Sequence, residues 1–205
     1  MKDFNSVDYF LFGGGGFSRE VLSFLSRDSS FKVIDTENED SFFSNRSIIN
    51  PNVIIPIGDP TIRFKVYEKI IKKKPNSIFP NLFLGGSRQE EQFKRENTIG
   101  YGNIFCKGSL ITTGILIGNF NLFNLNSTIG HDCCIGDFCT ISPGVNVSGC
   151  TKLGNFVYMG TNSCTVEGNN ISSSVTIGAG GVVNRNIEKF GTYVGVPVKK
   201  INGEK

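Results

Sequence analysis

Apolar residues recur at every sixth position through the second half of the chain. From Ile99 the register runs through Phe105, Ile111, Ile117, Phe123, Ile129, Ile135, Ile141, Val147, Leu153, Met159, Thr165, Ile171 and Ile177 to Val183 without a slip, and only Thr165 is polar. Glycine often follows directly, as at Gly100, Gly118, Gly130, Gly136, Gly154, Gly160 and Gly178. Helices repeat near 3.6 residues and strands at 2, so neither explains this spacing. A six-residue period predicts a β-helix. Three hexads make one triangular coil, so about five coils fit, with aliphatic residues stacked inward as ladders and small residues letting the chain turn its corners.

The first part of the chain has a different rhythm. Tyr9–Phe12 reads as a short apolar strand, followed by four glycines, Gly13 to Gly16. Phe17 to Arg27 has helical spacing, with Val21, Leu22, Phe24 and Leu25 apolar. Residues 31–35 and 53–58 read as further strands, Thr61 to Lys73 as a helix, and Ile78 and Phe79 as the start of a fourth strand. Alternating strand and helix predict a small, Rossmann-like parallel sheet with helices on its faces. Gly85 to Asn97 is charged and reads as a connector. The expected division is residues 1–84, an α/β domain, and residues 85–205, an all-β parallel β-helix with a C-terminal tail.

Composition changes this picture little. The 205 residues carry a net charge of +3, spread without a basic stripe, which gives no case for nucleic acid. Lys72, Lys73 and Lys74 form one short basic run, expected at a helix C-terminus. No stretch has the length of a membrane span, and Met1 to Asn5 has no signal-peptide core, so the expected compartment is the cytoplasm. Cys133 and Cys139 sit two residues before Ile135 and Ile141, in a slot shared with Ser109, Ser127, Val145, Thr151 and Ser163. That spacing is repeat register rather than ligand spacing, so neither a metal site nor a disulfide is expected.

Two features carry chemistry. A glycine run between strand and helix suits an anion, because backbone N–H groups converge on the partial positive charge of a helix N-terminus. Asp35, at the end of the next strand, is placed to accept hydrogen bonds from a sugar or base. The arrangement resembles half of a dinucleotide fold. It lacks the full fingerprint, and the sheet is small, so a nucleotide-sugar diphosphate suits it better than NAD; a tight turn with no ligand is the other reading. The second feature is His131, the single histidine, followed directly by Asp132. It falls two residues after an inward isoleucine, near a corner or outer face of a coil. A neighbouring carboxylate fixes the imidazole tautomer, as a general base requires. A lone histidine is also compatible with a purely structural role.

The hexads, the segment Asn124 to Ile135, the tail Val194 to Lys200, the Phe12–Phe17 glycine run and the segment Ile57-Gly58-Asp59-Pro60 together resemble the left-handed β-helix acyltransferases. The similarity is to the branch of sugar acetyltransferases that has an N-terminal nucleotide-sugar domain: 4-amino-sugar N-acetyltransferases and sialic-acid O-acetyltransferases. The resemblance implies a homotrimer with acetyl-CoA between neighbouring β-helices and no metal. It implies His131 as general base, Asp132 as its activator, Asn124 as a residue positioning the acceptor, and the Gly149 N–H as oxyanion donor. Thr140, Thr161 and Ala179 would line the acetyl-CoA groove, with Lys199 and Lys200 near its phosphates. Gly15, Gly16, Phe17, Asp35, Thr36 and Gly58 would hold the acceptor, a nucleotide-linked amino sugar. Phe17 stands where some amino-sugar members have histidine, which bears on the acceptor.

The resulting expectation is N-acetylation of the 4-amino group of a nucleotide-linked 4-amino-4,6-dideoxy sugar, as part of surface polysaccharide or protein glycosylation. O-acetylation of a sugar hydroxyl is the near alternative, and a non-catalytic β-helix scaffold the distant one. A γ-type carbonic anhydrase needs three histidine ligands and is excluded by the single histidine. An acyl-cysteine route is disfavoured, since Cys133, close to His131 in sequence, should point into the coil.

Overall fold

The structure, a computed structural model, describes residues 9–25, 31–85 and 87–201. Arg27 and Met1 to Asn5 lie outside them. The chain divides into two compact units, Met1–Leu82 and Phe83–Lys205.

The first unit is a three-stranded parallel sheet with helices. Strand β1 (Tyr9–Phe12) lies between β2 (Phe31–Ile34) and β3 (Val53–Ile54). Helix α1 (Gly16–Phe24) follows the glycine run, and α3 (Pro60–Lys73) is capped by Asp59, whose carboxylate accepts the Ile62 N–H at 2.9 Å. This carboxylate satisfies one of the orphan donors of the first turn. Lys72 and Lys73 lie in the last turn of α3, and Lys74 caps it, donating to the Asn45 and Ile48 carbonyls at 2.6 and 3.1 Å. Three expectations change, the first being that β3 ends at Ile54 and does not run to residue 58. Ile78 makes a single parallel bridge to Asn52 rather than starting a strand. A short helix α2 (Glu39–Ser44), unforeseen, buries Phe42 edge-on against Phe10 and Phe12.

The second unit is a left-handed parallel β-helix. Its strands pair in register with residues 18 positions away, as Thr140 with Leu122 and Tyr158, building the three faces. The hexad residues from Phe105 to Val183 are buried and form one core. Thr165 is accommodated because its Oγ1 accepts the Ser148 N–H at 2.9 Å and lies 3.2 Å from Thr151 Oγ1. Small residues are not the rule at the corners. Phe120, Asn126, Asp132, Phe138, Cys150, Phe156, Asn162 and Ser174 all turn there with φ of 55 to 59°, as glycines do at the equivalent positions. A left-handed conformation costs a non-glycine residue roughly 1 kcal/mol. Stacking offsets this at one corner, where Phe120, Phe138 and Phe156 lie 4.9 and 5.4 Å apart in near-parallel planes.

Both ends of the solenoid core are closed. The expected connector is instead helix α4 (Ser87–Glu96), whose Phe93 is buried edge-on against Phe105, itself stacked between Phe83 and Phe123. At the far end Ile187 and Val198 complete the core, and the strand Gly191–Val194 pairs antiparallel with Lys199–Lys200. Among the described residues no helix is long and apolar enough to cross a membrane.

Candidate active site

His131 follows the buried strand Thr128–Ile129 and opens a corner of the β-helix, with Asp132 at the left-handed turn itself. The turn aims both side chains outward, and His131 is 53% exposed. The Asp132 carboxylate accepts from Nδ1 of the imidazole at 2.8 Å. A carboxylate only accepts, so the proton sits on Nδ1 and the lone pair on Nε2. The coil beneath is equally specific. The His131 carbonyl accepts the Cys150 N–H at 2.8 Å, which seats the ring over Gly149. A methyl group on Gly149 would lie 2.7 Å from Nε2, so what a side chain here would displace is the His131 ring, with no demand from backbone torsion.

The Gly149 N–H, like those of Thr113 and His131 in the same column, has no acceptor among the described residues. On the neighbouring edge Asn119, Asp137 and Asn155 occupy the same slot, and each N–H is accepted by the side chain one coil on, at 2.7 to 3.0 Å. Since buried N–H groups are almost always paired, the Gly149 donor is free to serve a ligand oxygen. Asn124 lies at a different edge, its Oδ1 accepting the Leu125 N–H at 2.7 Å, and no hydrogen bond joins it to His131.

The expected groove residues occupy that other edge and its face. Thr140 is buried on the strand Thr140–Ile141. Thr161 and Ala179 stack on an exposed corner, where the Thr161 carbonyl accepts the Gly180 N–H at 2.8 Å. Lys199 and Lys200 line a cleft of about 330 Å³ together with Arg185 and Lys189, two cations the sequence reading did not single out. In the first unit, Gly15 caps α1 and Gly16 begins it; the space where a Gly15 side chain would stand is open, and that at Gly16 has only Arg19 Nη2 at 3.9 Å. Phe17 is in the first turn of α1 and half-buried. Asp35 closes a turn, its Oδ1 accepting the N–H groups of Glu37 and Asn38 at 3.0 and 3.3 Å, so this oxygen is committed locally. Thr36 is exposed beside it, and the Gly58 carbonyl accepts from the buried Arg63 at 3.4 Å.

The cysteines are arranged differently from their sequence neighbourhood. Cys133 is fully buried and donates to the Ser148 carbonyl at 3.2 Å; burial pushes its thiol up to about 11, with the nearby Cys150, Cys134 and Asp132 adding to the rise. The thiol that shares the His131 corner is Cys150, 18 residues on from Asp132 and one coil away. Only the coil register reveals it.

No family model matches the chain. It is 24% identical over 187 residues to a GDP-perosamine N-acetyltransferase of Escherichia coli O157:H7, covering 78% of each. The structure of PerB from Caulobacter crescentus in complex with CoA and GDP-perosamine superposes with a TM-score of 0.83 at 20% identity, covering 96% of this chain and 98% of that one. The acetyltransferase domain of PglB from Neisseria gonorrhoeae in complex with acetyl coenzyme A gives a TM-score of 0.78 at 20% identity, covering 96% of this chain and all of the other. The chain spans half or less of the length of the acyl-carrier-protein-dependent UDP-N-acetylglucosamine O-acyltransferases it also matches. The chain therefore has the fold of the left-handed β-helix sugar acetyltransferases, with the N-terminal parallel sheet as well as the β-helix.

Proposed function

We propose that the protein transfers acetyl from acetyl-CoA to the 4-amino group of a nucleotide-linked 4-amino-4,6-dideoxy sugar. The observation that carries this is the corner of His131, Asp132 and Gly149: an oriented base with its lone pair on Nε2, its ring against Gly149, whose N–H has no acceptor among the described residues. Support for the substrates comes from PerB and the gonococcal domain, whose structures hold CoA with GDP-perosamine and acetyl coenzyme A.

The acceptor amine attacks the thioester carbon. Nε2 of His131 takes the amine proton, the Gly149 N–H donates to the oxygen that becomes negative, and the thiolate leaves. Asp132 holds the tautomer throughout and stabilises the imidazolium. No step needs a metal or an acyl-enzyme, and Cys133 is unsuited to the latter because its thiol stays protonated. Asn124 positions the acceptor; Gly15, Gly16, Phe17, Asp35, Thr36 and Gly58 bind it; Thr140, Thr161 and Ala179 line the acetyl-CoA groove, with Lys199 and Lys200 at its phosphates. Thr161 and Ala179 stand on a different edge of the β-helix from His131. A thioester lying along them meets the base of a neighbouring copy, which is the reason to expect a homotrimer.

The test is CoA release from acetyl-CoA with UDP-, dTDP- and GDP-linked 4-amino sugars and with free sialic acid. Turnover with one nucleotide amino sugar, falling by about 10²-fold or more in His131→Ala, is the expected result. Turnover with sialic acid alone would replace the amine by a hydroxyl acceptor. Full activity in His131→Ala would remove the proposed base.

A further inference from the structure

The corner that carries His131 has a third metal-ligating group for which acetyl transfer has no use. Asp132 and Cys150 occupy equivalent turns of successive coils, at φ of 58 and 56°, so their side chains project side by side. A His131 ring nitrogen, an Asp132 carboxylate oxygen and Cys150 Sγ lie within 4.8 Å of one another. We propose that Nδ1 of His131, the Asp132 carboxylate and the Cys150 thiolate bind a zinc-type divalent cation, the Nδ1 proton moving to Nε2 and the thiol proton leaving to solvent, and that the bound ion silences the site because Nε2 then carries a proton and no free lone pair. The silencing rests on His131 being the base; the binding does not.

Nitrogen, oxygen and sulfur donors in one cluster suit a borderline-soft ion rather than Mg²⁺ or Ca²⁺. Three protein ligands leave one tetrahedral position open, the pattern of accessible zinc sites. Bond lengths near 2.0–2.3 Å put tetrahedral donors about 3.5 Å apart, so the widest gap closes by roughly 1 Å while Nδ1 and the Asp132 carboxylate, 2.8 Å apart, open slightly. Rotation of solvent-accessible side chains supplies that movement. The backbone beneath is fixed, with the Asp132 N–H on the Thr113 carbonyl at 3.0 Å and the Cys150 N–H on the His131 carbonyl at 2.8 Å. No other group of this kind occurs among the described residues. Cys133, adjacent in sequence, is turned into the coil and does not compete.

The test uses the full-length protein freed of metal and titrated with Co²⁺ as a coloured substitute for Zn²⁺. We expect one equivalent to bind with a thiolate-to-cobalt charge-transfer band. The band should vanish in Cys150→Ser and persist in Cys164→Ser. Zn²⁺ should inhibit acetylation, followed by mass spectrometry of the sugar product because Zn²⁺ also binds free CoA thiol. Cys150→Ser, compared with its own metal-free rate, should need roughly ten-fold more Zn²⁺ or above for half-inhibition. A band that survives in Cys150→Ser, or equal inhibition by Mg²⁺, overturns the site. An active enzyme that binds no Co²⁺ overturns it too and leaves the acetyltransferase standing. Zn²⁺ bound with undiminished turnover overturns the silencing, and with it His131 as base. A cobalt band in a protein inactive on every acceptor upholds the cation site and counts against the acetyltransferase.

Discussion

The His131 ring occupies the place where a side chain on Gly149 would stand. The nearest atoms to an added methyl all belong to that exposed imidazole, which can swing away at little cost. Gly149→Ala should therefore leave the thermal midpoint almost unchanged while moving Nε2. A displacement near 1 Å at a reacting group costs on the order of 10²-fold in rate. Steady-state kinetics beside a melting curve separates the two effects, and an equal loss in both would contradict this geometry. Thiol chemistry gives a second check at the same scale. With its thiol up at about 11, Cys133 has about one thiolate per thousand molecules at pH 8 and is buried besides, whereas Cys150 is accessible. Iodoacetamide on the native protein, followed by peptide mapping, should label Cys150 and spare Cys133. The His131–Asp132 pair was legible because the two residues are adjacent. Cys150 was not, since a residue 18 positions away becomes a neighbour only once the coil register is known.

Helix α4 shows how an element can escape a reading by pattern. Its ten residues contain one large apolar side chain, Phe93, among charges, so no amphipathic stripe announces it. The partner is the open end of the β-helix, where Phe93 meets Phe105 at 5.5 Å. Phe93→Ala uncovers that end and should cost about 3–5 kcal/mol of unfolding free energy, measurable in urea; a loss below about 1 kcal/mol would mean the core is closed some other way. The hexads, by contrast, were legible throughout because every inward position faces the same constraint. The corners were misread for a physical reason. Stacked neighbours such as Phe120 and Phe138 make a left-handed turn tolerable for large residues, and stacking is invisible in a single coil. In the first unit the two-residue strand β3 fell short of its expected length because Ile55 to Ile57 are apolar without being paired in the sheet.

Under the proposed function the base and the groove come from different copies of a homotrimer, which would make activity a shared property. His131→Ala and Ala179→Trp should each be inactive alone. Co-expressed, they should regain about a quarter of the wild-type sites, since each junction needs an intact base from one copy and an intact groove from the next. Mixed assemblies without recovery would place both halves of the site in one chain, and a sedimentation mass other than three chains would remove the trimer. The register of 18 residues per coil has a last consequence. Six residues inserted between Cys150 and Thr161 would preserve every inward column and the folded core, yet rotate all that follows by a third of a turn. The proposed groove would then face the wrong neighbour of the proposed trimer. Eighteen inserted residues would restore the alignment and merely lengthen the shaft. In this β-helix, the number of residues between two functional groups is an angle, and only whole revolutions are silent.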